Sequence, residues 1–266
     1  MLRLQTRGPE FGKCNICGVP SKLTDDHIPP KGVPLVGQAF LQKLTDGLGA
    51  DRNAKGKRLF QNGVTYRTIC KKCNGDLLGG LYDPELIGLC NSMHLLFQKQ
   101  LFLPADFKVH QNRLLRSVVG HLLAHGVDQH RIGPLDSMLT DYFLDHSLKF
   151  PSDLRMYCWV YPYKEQVVAK FIGKIFEFTG KSEPFVFSTI KFYPIAFMCS
   201  VTDLPASEMK TVLRLDDLTT GDINDQISIN LSPSNIPSFR WPETPGESGA
   251  IFLNGDYSTI ARPAKT

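Results

Sequence analysis

The sequence predicts an α+β protein in three stretches: a small cysteine- and glycine-rich module over 1–82, a helical region over 83–150, and an antiparallel β-rich domain over 151–266. Three observations carry this. Four of the seven cysteines fall in two Cys-x-x-Cys pairs before residue 74. Between 83 and 148 apolar residues recur at helical spacing. After Pro151 short β-branched and aromatic runs alternate with Gly, Pro and charged residues.

Composition sets the bounds. A chain of 266 residues, 42% hydrophobic and 21% charged, is an ordinary globular protein of one or two domains. Its net charge of +4 is too small to mark a nucleic-acid binder by itself. No apolar run approaches the ~20 residues that span a bilayer. The opening "MLRLQTRGPEFGK" lacks a signal-peptide core, so no membrane partner and a cytoplasmic location are expected.

Residues 1 to about 13 read as a loose lead-in. "VTYRTI" (Val64–Ile69) is β-branched and aromatic, hence a strand. It feeds "CKKCNGDLLGGL", a short helix that Gly79 and Gly80 should weaken. Residues 31–63 form an insertion with a basic loop, "GADRNAKGKRL". Asp83 followed by Pro84 reads as an N-cap with a first-turn proline, starting a helix through "ELIGLCNSMHLLFQKQL". A second helix is expected over about Phe107–Ala124, with Arg113 and Arg116 off its leucine and valine stripe, and a third over about Leu135–Leu148. "RMYCWVYPY", "QVVAKFIG", "KIFEFTG", "PFVFSTI" and "PIAFMCSV" read as strands, and Asn254-Gly255 as a hairpin turn. Trp159, Tyr161, Tyr163, Phe185, Phe187, Phe192 and Phe197 are expected in the sheet core.

Chemistry concentrates in the first stretch. Cys14, Cys17, Cys70 and Cys73 supply the thiolates of one closed tetrahedral Zn²⁺ site of the structural kind. Cys90, Cys158 and Cys199 lie in apolar surroundings and read as buried small hydrophobes. Between the two pairs, "LTDDHIPPKG" puts Asp25, Asp26 and His27 at a strand end that the following prolines stiffen. On spacing alone, a zinc ribbon without catalytic function remains open.

The order Cys-x-x-Cys, Asp-His-x-Pro, Cys-x-x-Cys-Asn resembles the HNH endonucleases, the ββα-metal nucleases, and in particular bacterial and phage members with a structural zinc. The likeness covers roughly residues 12–86. It implies a zinc-stabilised ββα-metal module in which Asp26 and Asn74 hold a catalytic Mg²⁺ or Mn²⁺ and His27 acts as general base. Phosphodiester hydrolysis needs those groups: a neutral imidazole takes the proton of the attacking water, and a hard cation on oxygen ligands offsets the developing charge. Asp25 is an alternative to Asp26, more simply a solvated turn residue. Asn62 and Asn53 are candidates for the additional residue that orients the histidine in many members, neither at a compelling spacing.

DNA is the expected substrate, RNA a further one, and family habit suggests restriction or phage defence. Arg52, Lys55, Lys57 and Arg58, with Lys71 and Lys72, are candidate phosphate contacts, against a merely solvated basic loop. The rival reading is a non-catalytic zinc module that binds nucleic acid or protein. The β-rich part is expected to recognise DNA, bind a partner protein or mediate self-association. His121 and His125, one helical turn apart, lack the glutamate of a metalloprotease and read as surface or capping residues; His94 reads as packed or half-exposed.

Overall fold

The computed structural model describes residues 4–35, 37–48, 58–176, 184–207, 209–218, 221–244, 250–254 and 257–264. It is a mixed α/β molecule with four helices among the described residues, a large antiparallel sheet and a cluster of four cysteines.

The N-terminal sheet has three strands, β1 (Phe11–Lys13), β2 (Pro20–His27) and β5 (Thr65–Cys70), all antiparallel. The segment ahead of β1 is packed rather than loose. Arg67 donates its backbone N–H to the Thr6 carbonyl and its guanidinium to the Gly8 carbonyl at 2.8 Å, and Thr6 is fully buried.

From β5 the chain turns directly into a wide, π-type helical segment, Lys72–Tyr82, continuous with α2 (Asp83–Gln98). The Asp83 N–H reaches back to the Leu78 carbonyl, five residues away. Gly79 and Gly80 therefore do not end the helix. Nor is Asp83 a cap: it lies inside a continuous helix, and its carboxylate is spent on tertiary contacts.

The segment expected to open the second helix is a strand, β6 (Ala105–His110), with Phe107 and Val109 inward and Asp106 and Lys108 outward. It pairs with β12 (Gln226–Leu231), Phe107 opposite Ile229. Helix α3 (Gln111–Ala124) then runs through the middle of the molecule, buried everywhere except at Arg113. Arg116, expected outside the apolar stripe, is fully buried; its guanidinium lies 3.9 Å from the centre of the Tyr142 ring and donates to the Leu148 carbonyl. At Gly120 a methyl group would come within 2.6 Å of side-chain carbons of both Leu78 and Phe143, so the π-type segment and α4 (Pro134–Leu144) pack side chains directly on the α3 backbone.

The nine-stranded sheet holds β7 (Arg155–Val160), β8 (Gln166–Ile175), β9 (Phe185–Phe192), β10 (Ile195–Ser200), β11 (Leu213–Arg214), β13 (Ala250–Phe252) and β14 (Ser258–Pro263). Two strands of the insertion complete it. β14 pairs with β3 (Ala39–Lys43), which pairs with β4 (Arg58–Phe60); the short α1 (Leu44–Leu48) follows β3. The first stretch of sequence is thus stitched into the third by main-chain hydrogen bonds. β13 and β14 both lie along β8 rather than on each other, and Gly255 of the expected hairpin is outside the described residues.

Both faces of this sheet are covered, so its strands read as nearly continuous apolar runs. Along β7, Met156, Cys158 and Val160 join the core around α3, while Tyr157 and Trp159 join a second core with Phe187 and Trp241. Tyr161, Phe185, Phe192 and Phe197 are buried in these two cores, and Tyr163 packs against the second. Cys90, Cys158 and Cys199 are buried, as expected. Among the described residues no helix is long and apolar enough to cross a membrane.

The second core contains a buried ion pair. Lys191 Nζ lies 2.9 Å from Glu243 Oε2, with both side chains at most 2% exposed, and Tyr161 donates to the same carboxylate. Glu243→Gln should cost ~3–5 kcal/mol, because it strands a buried ammonium. Lys191→Met together with Glu243→Leu should cost less than that single change. Urea denaturation of the three proteins checks this; a double variant worse than the single one contradicts it.

Candidate functional site

The first Cys-x-x-Cys pair sits on a tight turn, the second on a strand-to-helix junction. In the first, the Gly18 N–H closes on the Cys14 carbonyl at 2.9 Å with φ at 72°, a conformation that glycine adopts without strain. Asn15 fastens this turn to the end of α3, donating to the Gly126 carbonyl and accepting from the Gln129 N–H. The second pair spans the end of β5 and the start of the π-type segment.

The sulfurs of Cys14, Cys17, Cys70 and Cys73 all lie within 4.8 Å of one another, and those of Cys17 and Cys70 are 3.8 Å apart. Four Zn–S bonds of ~2.3 Å at tetrahedral angles separate sulfurs by about 3.8 Å. The donor set fits zinc. The Cys70 N–H donates to the Cys14 sulfur at 3.3 Å, a contact that favours the thiolate a metal takes.

The strand β2 carries the DDH sequence into this neighbourhood. Its pairing with β5 is irregular between Thr24 and Asp25, where Thr24 opposes Ile69 and Asp25 opposes Arg67. Such irregularities re-aim side chains and recur beside active sites. Asn74, in the first turn after the second cysteine pair, donates its amide to the Thr24 hydroxyl at 2.9 Å and to the Asp25 carbonyl at 3.1 Å. Both bonds use the amide nitrogen. The amide oxygen, the atom a hard cation takes, engages in neither.

The neighbours on β2 diverge. Asp25 is exposed and faces Arg7 at 3.6 Å. Asp26 is buried, with Oδ2 3.2 Å from Nδ1 of His121. His27 is half-buried at the strand end, and among the described residues no hydrogen bond reaches its imidazole.

The basic set is only partly in view. Arg52, Lys55 and Lys57 lie outside the described residues, as does Asn53. Arg58 is on β4, bonded to Thr6 and close over the Phe60 ring, a structural engagement. Lys71 and Lys72 are exposed at the start of the helical segment, and Asn62 is exposed in the turn before β5.

Two histidines expected at the surface are buried. His121 lies between carboxylates, with Nδ1 toward Asp26 and Nε2 3.0 Å from Asp83 Oδ1. Burial alone would pull its pKa down; Asp83 and Asp26 outweigh it and hold it at about 10. Burial pushes the Asp26 pKa up, and the His121 cation opposes that rise.

His125 turns the other way, with Nε2 3.0 Å from the Thr259 hydroxyl and its ring packed on Tyr66. Burial, helped by Lys170, lowers its pKa to about 3. The unfolded chain then binds a proton that the folded chain refuses, so stability falls as pH drops below about 6.5 and continues falling toward 3. The loss from this group should reach ~2 kcal/mol at pH 5. Denaturant melts from pH 7.5 to 5 should show it, and His125→Gln should flatten the slope; an unchanged slope contradicts the assignment. His121 acts on the alkaline side. Its contribution is complete below about 6.5 and is lost as pH rises toward 10. His94 is half-buried and bonded to the Tyr193 hydroxyl at 3.0 Å.

Compared with protein-family models, curated proteins and solved structures, the chain matches none.

Proposed function

We propose that the chain is a metal-dependent HNH endonuclease that cleaves DNA phosphodiester bonds. One observation carries the reading. Two antiparallel strands, β2 and β5, lead straight into a helical segment whose first turn places Asn74 on the backbone of β2, one residue from Asp26 and two from His27. The four-cysteine centre ties the turn ahead of β2 to the end of β5 and the start of that helical segment.

In this reading His27, half-exposed at the strand end, accepts a proton from the attacking water. The carboxylate of Asp26 and the amide oxygen of Asn74 are the donors for a hard divalent cation, a set of oxygens that suits Mg²⁺ or Mn²⁺. When bound, that ion supplies positive charge beside the phosphate and the leaving oxygen. Lys71 and Lys72, exposed next to Asn74, contribute affinity for the phosphate backbone that falls with salt. A restriction or phage-defence setting is consistent with this chemistry.

The burial of Asp26 against His121 favours a second reading, a zinc module that binds nucleic acid or protein without hydrolysing it. The test is zinc-loaded protein incubated with supercoiled plasmid, with and without Mg²⁺ or Mn²⁺, and in parallel with structured RNA. Divalent-dependent nicking of plasmid supports the nuclease. Binding without nicking, under every divalent condition, selects the zinc module. Cleavage confined to RNA changes the substrate class.

A further inference from the structure

A line of buried polar groups runs from Asp26 away from the strand end and into the core. His121 Nδ1 meets Asp26 Oδ2 at 3.2 Å, and His121 Nε2 meets Asp83 Oδ1 at 3.0 Å. The Ser117 hydroxyl donates to that same Asp83 oxygen at 2.7 Å. His121 and Ser117 are fully buried, and Asp26 and Asp83 are 4% and 7% exposed. The four come from three separate elements, β2, α2 and α3.

Stability alone does not account for this line. Apolar side chains of similar volume usually stabilise a core as well as a buried charge network or better. What such a network supplies is a fixed orientation, since each member has its rotamer set by the next. His121 sits one helical turn from Ser117, so both reach Asp83 from the same face of α3. Gly120, between them, lets the side chains of Leu78 and Phe143 pack directly on the α3 backbone.

We infer that His121 is a positioning residue for Asp26: the imidazole, itself fixed by Asp83 and Ser117, holds one carboxylate oxygen so that the other is presented to a divalent cation. This rests on the nuclease reading above. Removing the partners of metal-ligating groups typically costs 10–100-fold in metal affinity or activity.

The experiment is a Mn²⁺ titration of the zinc-loaded protein, followed by electron paramagnetic resonance and by plasmid nicking at each Mn²⁺ concentration. Four proteins are compared: wild type, His121→Gln, His121→Asn and Ser117→Ala. The expected result is a 10–100-fold higher Mn²⁺ midpoint for His121→Gln, with the nicking rate at saturation within a few-fold of wild type. His121→Asn, whose short amide keeps a donor near the Nδ1 position, should recover part of the shift. Ser117→Ala should shift the midpoint the same way by about threefold. A midpoint for His121→Gln within twofold of an active wild type overturns the inference and leaves the nuclease reading standing. If wild type neither binds Mn²⁺ nor nicks, both fall. Should His121→Gln fail to fold, Ser117→Ala decides: a shifted midpoint supports the positioning role, and an unshifted one refutes it.

Discussion

Replacing Cys73 with serine is expected to abolish stoichiometric zinc and lower the melting temperature by roughly 10 °C. The two cysteine pairs are separated by 52 residues, Gly18 to Ile69. Cross-linking the ends of a loop that long removes ~4 kcal/mol of entropy from the unfolded chain. A chain of this size loses about 2–4 °C of melting temperature per kcal/mol. The loss falls short of the ~10–16 kcal/mol of isolated zinc fingers, because the β2–β5 ladder and the core around α3 also hold these ends together. Hydrogen exchange should locate the damage, with amides at Cys14–Gly18 and Thr68–Asn74 losing protection before those of β9 and β10. Cys90→Ala is the control, for Cys90 is buried in apolar contact away from the sulfur cluster. It should leave zinc content unchanged. A Cys73→Ser protein that retains one zinc and melts within 2 °C of wild type, a margin below the effect of a single kcal/mol, would falsify the four-sulfur assignment.

The four-cysteine cluster was legible in the sequence because its members come in two local pairs, each written in a few residues. β5 was legible for a similar reason: "VTYRTI" is β-branched and aromatic at the positions that pack. What failed was the outside of α3. An amphipathic stripe of Leu114, Leu115, Val118, Val119, Leu122 and Leu123 assigns the remaining residues to solvent only when nothing covers the other face. Here Tyr142 covers Arg116, while Asp83 and Asp26 cover Ser117 and His121. The polar residues of α3 are partners of distant groups, and separations of up to 111 residues leave no local trace. Gly79 and Gly80, expected to weaken the helix, do not end it, because helix propensity is a weak preference that packing against α3 overrides. β3 was missed because it joins the sheet through β14, more than 200 residues along the chain, and β4 is a three-residue strand that pairs only with β3.

His27→Ala is expected to lower divalent-dependent plasmid nicking by roughly 10²–10⁴-fold. Of the three titratable residues at the end of β2, Asp25 faces Arg7 and Asp26 is turned inward to His121, while His27 is partly accessible with no hydrogen bond to its imidazole among the described residues. Removing such an imidazole should cost little stability, so fold and zinc content should survive the change. Loss of the proton acceptor should appear in the maximal rate rather than in DNA affinity, and free imidazole should restore part of it. Asp25→Asn separates its neighbours' roles. An exposed ion pair at 3.6 Å contributes at most ~1 kcal/mol, so this variant should cut and fold like wild type. Asp26→Asn should instead raise the divalent requirement steeply, since it weakens both the cation site and the bond to His121. If His27→Ala nicks at the wild-type rate, or if Asp25→Asn proves the more damaging of the two carboxylate changes, the general base or the metal ligand has been assigned to the wrong residue. Either outcome would move the chemistry off the buried face of β2 and remove the reason for the polar line behind it.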